Sequence, residues 1–237
     1  MTTVGTQNEA SREAWLRETL ARVPAGSRLL DAGAGEQRHK KYCAHLQYVA
    51  QDFAQYDGKG DAVGLQTGAW DQSQLDIIGD IAAISEQDAS FDTILCVEVF
   101  EHIPHPVEAL KEFARLLKPG GSLIMTAPFC SMTHFAPYHF YTGFSRYFYS
   151  HYLPLFGFEI AEMKFNGNYF EYLAQEIRRL PEIATRYGRR RSRSPQSIAL
   201  RLASKIMLSV LQVFTDADEG SAELLCYGTY ILAVKKD

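Results

Sequence analysis

Seven residues, Leu29-Leu30-Asp31-Ala32-Gly33-Ala34-Gly35, constrain this chain more than any others. They close a short apolar run, 27–31, that reads as a buried strand, and they lead into 36–46, which reads as a helix. Glycine at such a junction lets the backbone turn tightly and approach a ligand closely. The N-terminus of the following helix then offers free N–H groups to an anion. A plain strand-to-helix turn uses similar residues, so the motif gains weight only from its neighbours.

Beyond the turn, strands alternate with helices. Residues 8–23 read as a helix with Trp15, Leu16 and Leu20 on one face. Residues 47–52 read as a second strand, 55–74 as a long polar surface loop, and 75–80 as a third strand. The run 91–97 is apolar almost throughout, as in a strand buried on both faces. Pro106 opens a helix over 106–117, with Val107, Leu110, Phe113 and Leu117 recurring on one side. Pro119-Gly120-Gly121 stops it, and 122–127 is the fifth strand. This alternation predicts an α/β fold with a doubly wound, mostly parallel sheet. Further on, 133–152 is crowded with aromatics, 158–165 reads as a sixth strand and 169–180 as a helix. A basic stretch, 186–195, precedes an amphipathic helix over 198–214 with Ala199, Ala203, Ile206, Val210 and Phe214 on its apolar side. Residues 224–234 close the chain as a strand. The expected organisation is one domain, 1–237, with core 27–165, a helical insertion at 166–215 and a closing strand within 223–236.

Bulk properties narrow the partners. A chain of 237 residues can bury one sizeable core. Its net charge of −4 favours neither nucleic acid nor an anionic membrane. Cys43, Cys96, Cys130 and Cys226 show neither zinc-site nor C-x-x-C spacing, which suits a reducing cytoplasm. No His/Asp/Glu cluster shows ligand spacing, so no metal is expected. Residues 1–22 lack the apolar stretch of a signal peptide, and no run is expected to cross a bilayer.

Three further features follow in order. Asp52, with Phe53 beside it, ends the second strand about 20 residues after the turn, where a carboxylate can accept from both hydroxyls of a ribose. Asp80-Ile81 follows the third strand and could hold an adenine by its amine and its ring face. Cys96-Val97-Glu98-Val99-Phe100-Glu101-His102-Ile103 leaves the fourth strand at its carboxyl end, where open α/β sheets bind ligands.

In this order the motifs resemble the class I S-adenosylmethionine-dependent methyltransferases, the type 11 group above all. The likeness includes Leu117-Lys118-Pro119-Gly120-Gly121 and covers 27–128, with Gln37 where a third glycine often stands. It implies a Rossmann-like sheet of seven strands, the last antiparallel and inserted beside the fifth. It implies S-adenosylmethionine as cofactor, held by Asp31, Ala32, Gly33, Gly35, Asp52, Phe53, Asp80, Ile81, Cys96 and Val97. The segment His134-Phe135-Ala136-Pro137-Tyr138-His139-Phe140-Tyr141 is similar to a His-x-x-Pro-Tyr-Asp segment of methyltransferases acting in bacterial surface-sugar and secondary-metabolite pathways. Here His139 replaces the aspartate, and the nearest following arginine is Arg146.

That resemblance implies a small-molecule acceptor, methylated on a hydroxyl of a sugar or secondary metabolite. A hydroxyl needs a proton acceptor, and a positioned histidine can contribute roughly 10²–10⁴-fold. The candidates are His102, His134 and His139, with Tyr138, Tyr141 and Arg146 as acceptor contacts. The other aromatics of 133–152 read as a lid or satellite core. Arg189, Arg190, Arg191 and Arg193 read as a solvated loop, with an anion clamp as the sharper alternative. A nicotinamide dehydrogenase would need glycine where Arg38 stands. A non-catalytic binding or scaffold protein, or a methyltransferase acting on protein or nucleic acid, remains as the alternative. The chain is expected to be a monomer or homodimer.

Overall fold

The computed structural model describes residues 2–188 and 194–236. It divides into two compact units: Ala14–Lys164 with Gly228–Asp237, and Met1–Glu13 with Phe165–Tyr227. The smaller unit contains the expected helical insertion but closes a core of its own. Val4 from the N-terminus joins Ala174, Leu208 and Leu211 there.

The larger unit is built on a sheet of β1 (Arg28–Ala32), β2 (Gln47–Asp52), β3 (Ile77–Ile78), β4 (Phe91–Val97), β5 (Leu117–Pro128), β6 (Phe158–Asn166) and β7 (Gly228–Lys235). Their order is β3-β2-β1-β4-β5-β7-β6. β1 pairs in parallel with β2 and β4, and β4 with β5. β7 runs antiparallel beside β5, from Ser122↔Val234 to Pro128↔Gly228. The seven-stranded, mostly parallel sheet with an antiparallel last strand is therefore present.

Period-two alternation divides the core between the sheet's faces. Leu30, Ala32, Ile94, Cys96, Leu123, Met125, Ile231 and Ala233 join one cluster with Leu110, Phe113 and Leu116. Their neighbours Leu29, Leu95, Ile124 and Tyr230 join another with Trp15, Leu16 and Leu20. The helices behind these clusters are α1 (Asn8–Ala21) and α2 (Pro106–Leu116), the latter with proline in its first turn. α3 (Arg146–Leu155) lies within the aromatic stretch. α4 (Tyr169–Tyr187) and α5 (Pro195–Asp216) belong to the smaller unit.

Several expectations change. Residues 36–46 form no α-helix: Gln37 is left-handed at φ +57°, and only one 3-10 turn, Lys40–Tyr42, forms. The anion-binding helix N-terminus expected after the glycine turn is therefore missing. β3 shortens to two residues because Asp76 exchanges hydrogen bonds with Ala50 just before it, its side chain accepting from the Ala50 N–H at 2.8 Å. Pro119-Gly120-Gly121 lies inside β5, absorbed by a register shift between Phe91↔Leu117 and Thr93↔Ser122. α4 continues through Pro181 to Tyr187. β7 begins at Gly228, four residues later than patterning suggests. α5 packs by Ser204, Leu208 and Leu211, while Ile206, Val210 and Phe214 are exposed. By length and composition α5 is also apolar enough to cross a membrane, contrary to expectation.

Candidate active site

The glycine turn leaves β1 and is fixed from below by β2. Gly33 and Ala34 both donate their N–H to the Gln51 carbonyl, at 2.9 and 2.8 Å. Gly33 has φ +80°, and a Cβ there would lie 2.5 Å from Val99. Gly35 has φ +51°, and a Cβ there would lie 3.0 Å from the Trp70 ring. Glycine thus lets the turn pack directly against Val99 and Trp70, where a Cβ would clash. Asp52, 5% exposed, accepts from the Gly35 N–H at 2.9 Å and the Ala54 N–H at 3.0 Å. Gln72 donates to its other side at 3.3 Å. Burial raises the Asp52 pKa, opposed by those backbone N–H groups. The carboxylate therefore shapes the turn, whatever it also offers a ligand.

Asp31 is buried and accepts from the Tyr48 hydroxyl. Desolvation pushes its pKa up to about 7; the Tyr48 bond opposes the shift and the Asp52 charge adds to it. Asp80 is exposed and accepts from the Ala82 N–H at 2.9 Å, which caps a turn. Ile81 is buried in the larger core cluster, as is Cys96, so neither presents a free face. Val97 is half-buried against the opposite core cluster.

Sequence reasoning missed Glu98, Phe135, Trp70 and Glu101 here. Glu98 is left-handed at φ +53°, and its carboxylate accepts from the Thr126 hydroxyl at 2.8 Å. Strain of this kind collects at functional sites. Phe135 is left-handed as well, at φ +54°. It stacks on Tyr56 at 4.8 Å and meets Trp70 edge-on at 5.4 Å. The segment 55–74 is irregular as expected, but it is a wall of the site rather than a free loop. Leu65 bridges to His134, and the Asp61 and Leu65 N–H groups donate to the Ala136 and Thr133 carbonyls. Left-handed backbone gives no signal at a glutamate or phenylalanine, which is why these positions escaped notice. The fourth, Glu101, is 1% exposed and lies against the histidines.

His102, His134 and His139 come together although 31 residues of sequence separate the first two. Ring centroids lie 4.5 Å apart for His102 and His134, and 4.9 Å for His134 and His139. His102 Nδ1 meets the Tyr138 carbonyl at 2.5 Å, and His134 Nδ1 meets the Met132 carbonyl at 2.8 Å. A carbonyl only accepts, so each Nδ1 carries a proton. Burial drives the His102 pKa down to about 3, with the nearby His134 adding to the shift. Burial and His134 lower His139 too. The expected absence of metal-ligand clustering is corrected here: one ring nitrogen from each histidine lies within 4.8 Å of the other two.

The acceptor contacts divide. Tyr138 meets Phe53 edge-on at 4.9 Å, which joins the expected acceptor segment to the expected ribose side. Tyr141 donates to the Pro104 carbonyl at 3.1 Å and borders a separate open cleft of about 690 Å³ with Val107, Phe144 and Tyr152. Arg146 begins α3 with its guanidinium 5.4 Å from the Tyr147 ring. Arg189, Arg190, Arg191 and Arg193 lie outside the described residues.

Residues 30–125 match a family model described as a methyltransferase domain. The chain is 37% identical over 105 residues to the ubiquinone biosynthesis O-methyltransferase of Xanthomonas oryzae pv. oryzae, which is 43% of either protein. It spans less than half the length of the curated relatives it matches. Among solved structures, a SAM-dependent methyltransferase from Archaeoglobus fulgidus aligns over 95% of this chain and 94% of its own, with TM-score 0.57 and 16% identity. The [4+2]-cyclase SpnF aligns over 98% and 84%, with TM-score 0.57 and 18% identity. These two show a shared fold.

Proposed function

We propose that this chain, whose residues 30–125 match a methyltransferase-domain model, moves a methyl group from S-adenosylmethionine to a hydroxyl of a small molecule such as a sugar or secondary metabolite. The observation that carries this reading is one contact. The edge-on pair of Phe53 and Tyr138 sets the glycine turn and Asp52 beside the histidine cluster. β1 and β4 lie at the middle of the sheet, where the strand order reverses, and ligands of open α/β sheets bind at that point.

Gly33 and Gly35, both at positive φ, keep the turn after β1 tight and free of side chains, the kind of backbone a cofactor can approach closely. When bound, S-adenosylmethionine supplies an electrophilic methyl carbon on a sulfonium. Gly33, Gly35 and Asp52 hold it, with Phe53 on the acceptor side. The histidine cluster receives the hydroxyl and draws its proton. Holding the acceptor in line supplies much of the rate, because effective molarities on the order of 10⁵–10⁸ M follow from orientation alone. The O-methyltransferase name of the curated relatives supports oxygen as the methylated atom. The scattered spacing of Cys43, Cys96, Cys130 and Cys226 supports action in a reducing cytoplasm.

Calorimetry with S-adenosylmethionine, with NAD as control, tests the cofactor assignment. Transfer of labelled methyl to a panel of sugars, phenols and hydroxylated metabolites tests the acceptor class. Saturable cofactor binding with transfer to one hydroxyl class is the expected result. Cofactor binding with no transfer to any hydroxyl would leave a binding or scaffold protein.

A further inference from the structure

We propose that His102, His134 and His139 bind a divalent transition-metal ion, Zn²⁺ in the first instance, a site that rests on reading this cluster as the acceptor side. Three observations point to it. One ring nitrogen from each histidine already lies within 4.8 Å of the others. Around a tetrahedral ion with bonds of ~2.0–2.1 Å, ligand nitrogens sit roughly 3.3 Å apart. The rings therefore need to close by up to about 1.5 Å. His134 is held by its bridge to Leu65, whereas His139 lies outside helix and strand, so the movement falls on His139.

The second observation is the orientation of the rings. His102 and His134 each commit Nδ1–H to a backbone carbonyl, of Tyr138 and Met132. That is the outer-shell arrangement that fixes the tautomer of a metal-binding imidazole and leaves Nε2 to the ion. His102 Nε2, and both ring nitrogens of His139, are buried without a hydrogen-bond partner. A buried polar atom of this kind calls for a ligand.

The third is charge. The Glu101 carboxylate, 1% exposed, lies 3.6 Å from His102 Nε2 and 3.7 Å from His134 Nε2. One buried carboxylate beside three imidazoles suits a dication. Nitrogen donors select a borderline ion over Mg²⁺ or Ca²⁺, which take oxygen. Such an ion with a position left open would lower the pKa of a bound hydroxyl. His134 and His139 are separated by four residues, within the H-x₃₋₅-H spacing of zinc sites, a signal visible in the sequence and passed over.

The test uses the full chain stripped with a chelator. ZnCl₂ is titrated by calorimetry, CoCl₂ by visible absorption, and MgCl₂ serves as control. The expected result is one Zn²⁺ per chain, tetrahedral cobalt bands, and no comparable Mg²⁺ binding. His151→Ala, on an exposed position, should bind as wild type. His134→Ala with His139→Ala should weaken binding by more than about 100-fold, beyond the 10–100-fold typical of an outer-shell loss. If that double variant fails to fold, His139→Gln replaces it, and zinc should raise the Tm of wild type but not of this variant. Absence of saturable 1:1 zinc binding, or affinity unchanged in His139→Gln, overturns the site. S-adenosylmethionine titrated into the same sample separates the two readings. Cofactor binding without zinc binding overturns only the metal, and zinc binding without cofactor binding overturns only the methyl transfer.

Discussion

Asp52 and Asp31 are buried carboxylates with different consequences. Asp52 holds the turn through two charge-assisted bonds, each worth roughly 1.5–3 kcal/mol. Asp52→Ala should therefore weaken S-adenosylmethionine binding by about 10–100-fold by calorimetry, at about 1.4 kcal/mol per tenfold. Asp31 has its pKa raised to about 7 in the fold, above its unfolded value. The folded state then binds more protons than the unfolded one between these values, so stability falls as pH rises. The contribution is fully present below about pH 4 and is lost as pH rises through about 7. Asp31→Asn should flatten that part of the stability–pH curve, measured by urea unfolding at several pH values. Gly33→Ala adds backbone strain of about 1–2 kcal/mol. It also drives a methyl into Val99. Cofactor affinity should fall, and the added Val99→Ala should restore part of it, because the clash is removed and the strain is not.

Among the elements, α5 shows how amphipathic patterning can mislead. Apolar residues occur all around this helix, so periodicity alone does not select the packing face. Patterning favours Ile206, Val210 and Phe214, but the structure buries Leu208 and Leu211. Leu208→Ala should cost about 2–5 kcal/mol by chemical denaturation. Ile206→Ser should stay within about 0.5 kcal/mol. Equal costs at both positions would mean that the packing face is misassigned. The stretch 36–46 is the converse case. Its composition permits a helix, but left-handed Gly35 and Gln37 break the first turn. α2 met no such conflict: proline at its start and apolar residues on one side agree with a position over the sheet.

At the scale of the molecule, the candidate cofactor residues and the histidine cluster all belong to the larger unit. They follow the carboxyl ends of β1, β2, β3, β4 and β5, the parallel part of the sheet. Amide hydrogen exchange should therefore slow on addition of S-adenosylmethionine at 33–35, 52–54 and 98–102. Slower exchange only elsewhere in the chain would remove the assigned site.

The sequence by itself determined β1, β2, β4 and α2, the glycine turn and the acidic residues that follow it. Each is a local pattern: apolar period, proline and glycine at element ends, a carboxylate at a strand end. The seven-stranded order with an antiparallel last strand was legible only through resemblance, since one chain's periodicity carries no pairing information. Tertiary structure alone decided what the side chains do. It placed Ile81 and Cys96 in the core, turned the 55–74 loop into a wall through Tyr56 and Trp70, and gathered His102 with His134, His139 and Glu101. The physical reason is that burial, tautomer and charge are set by neighbours distant in sequence, which residue spacing does not specify.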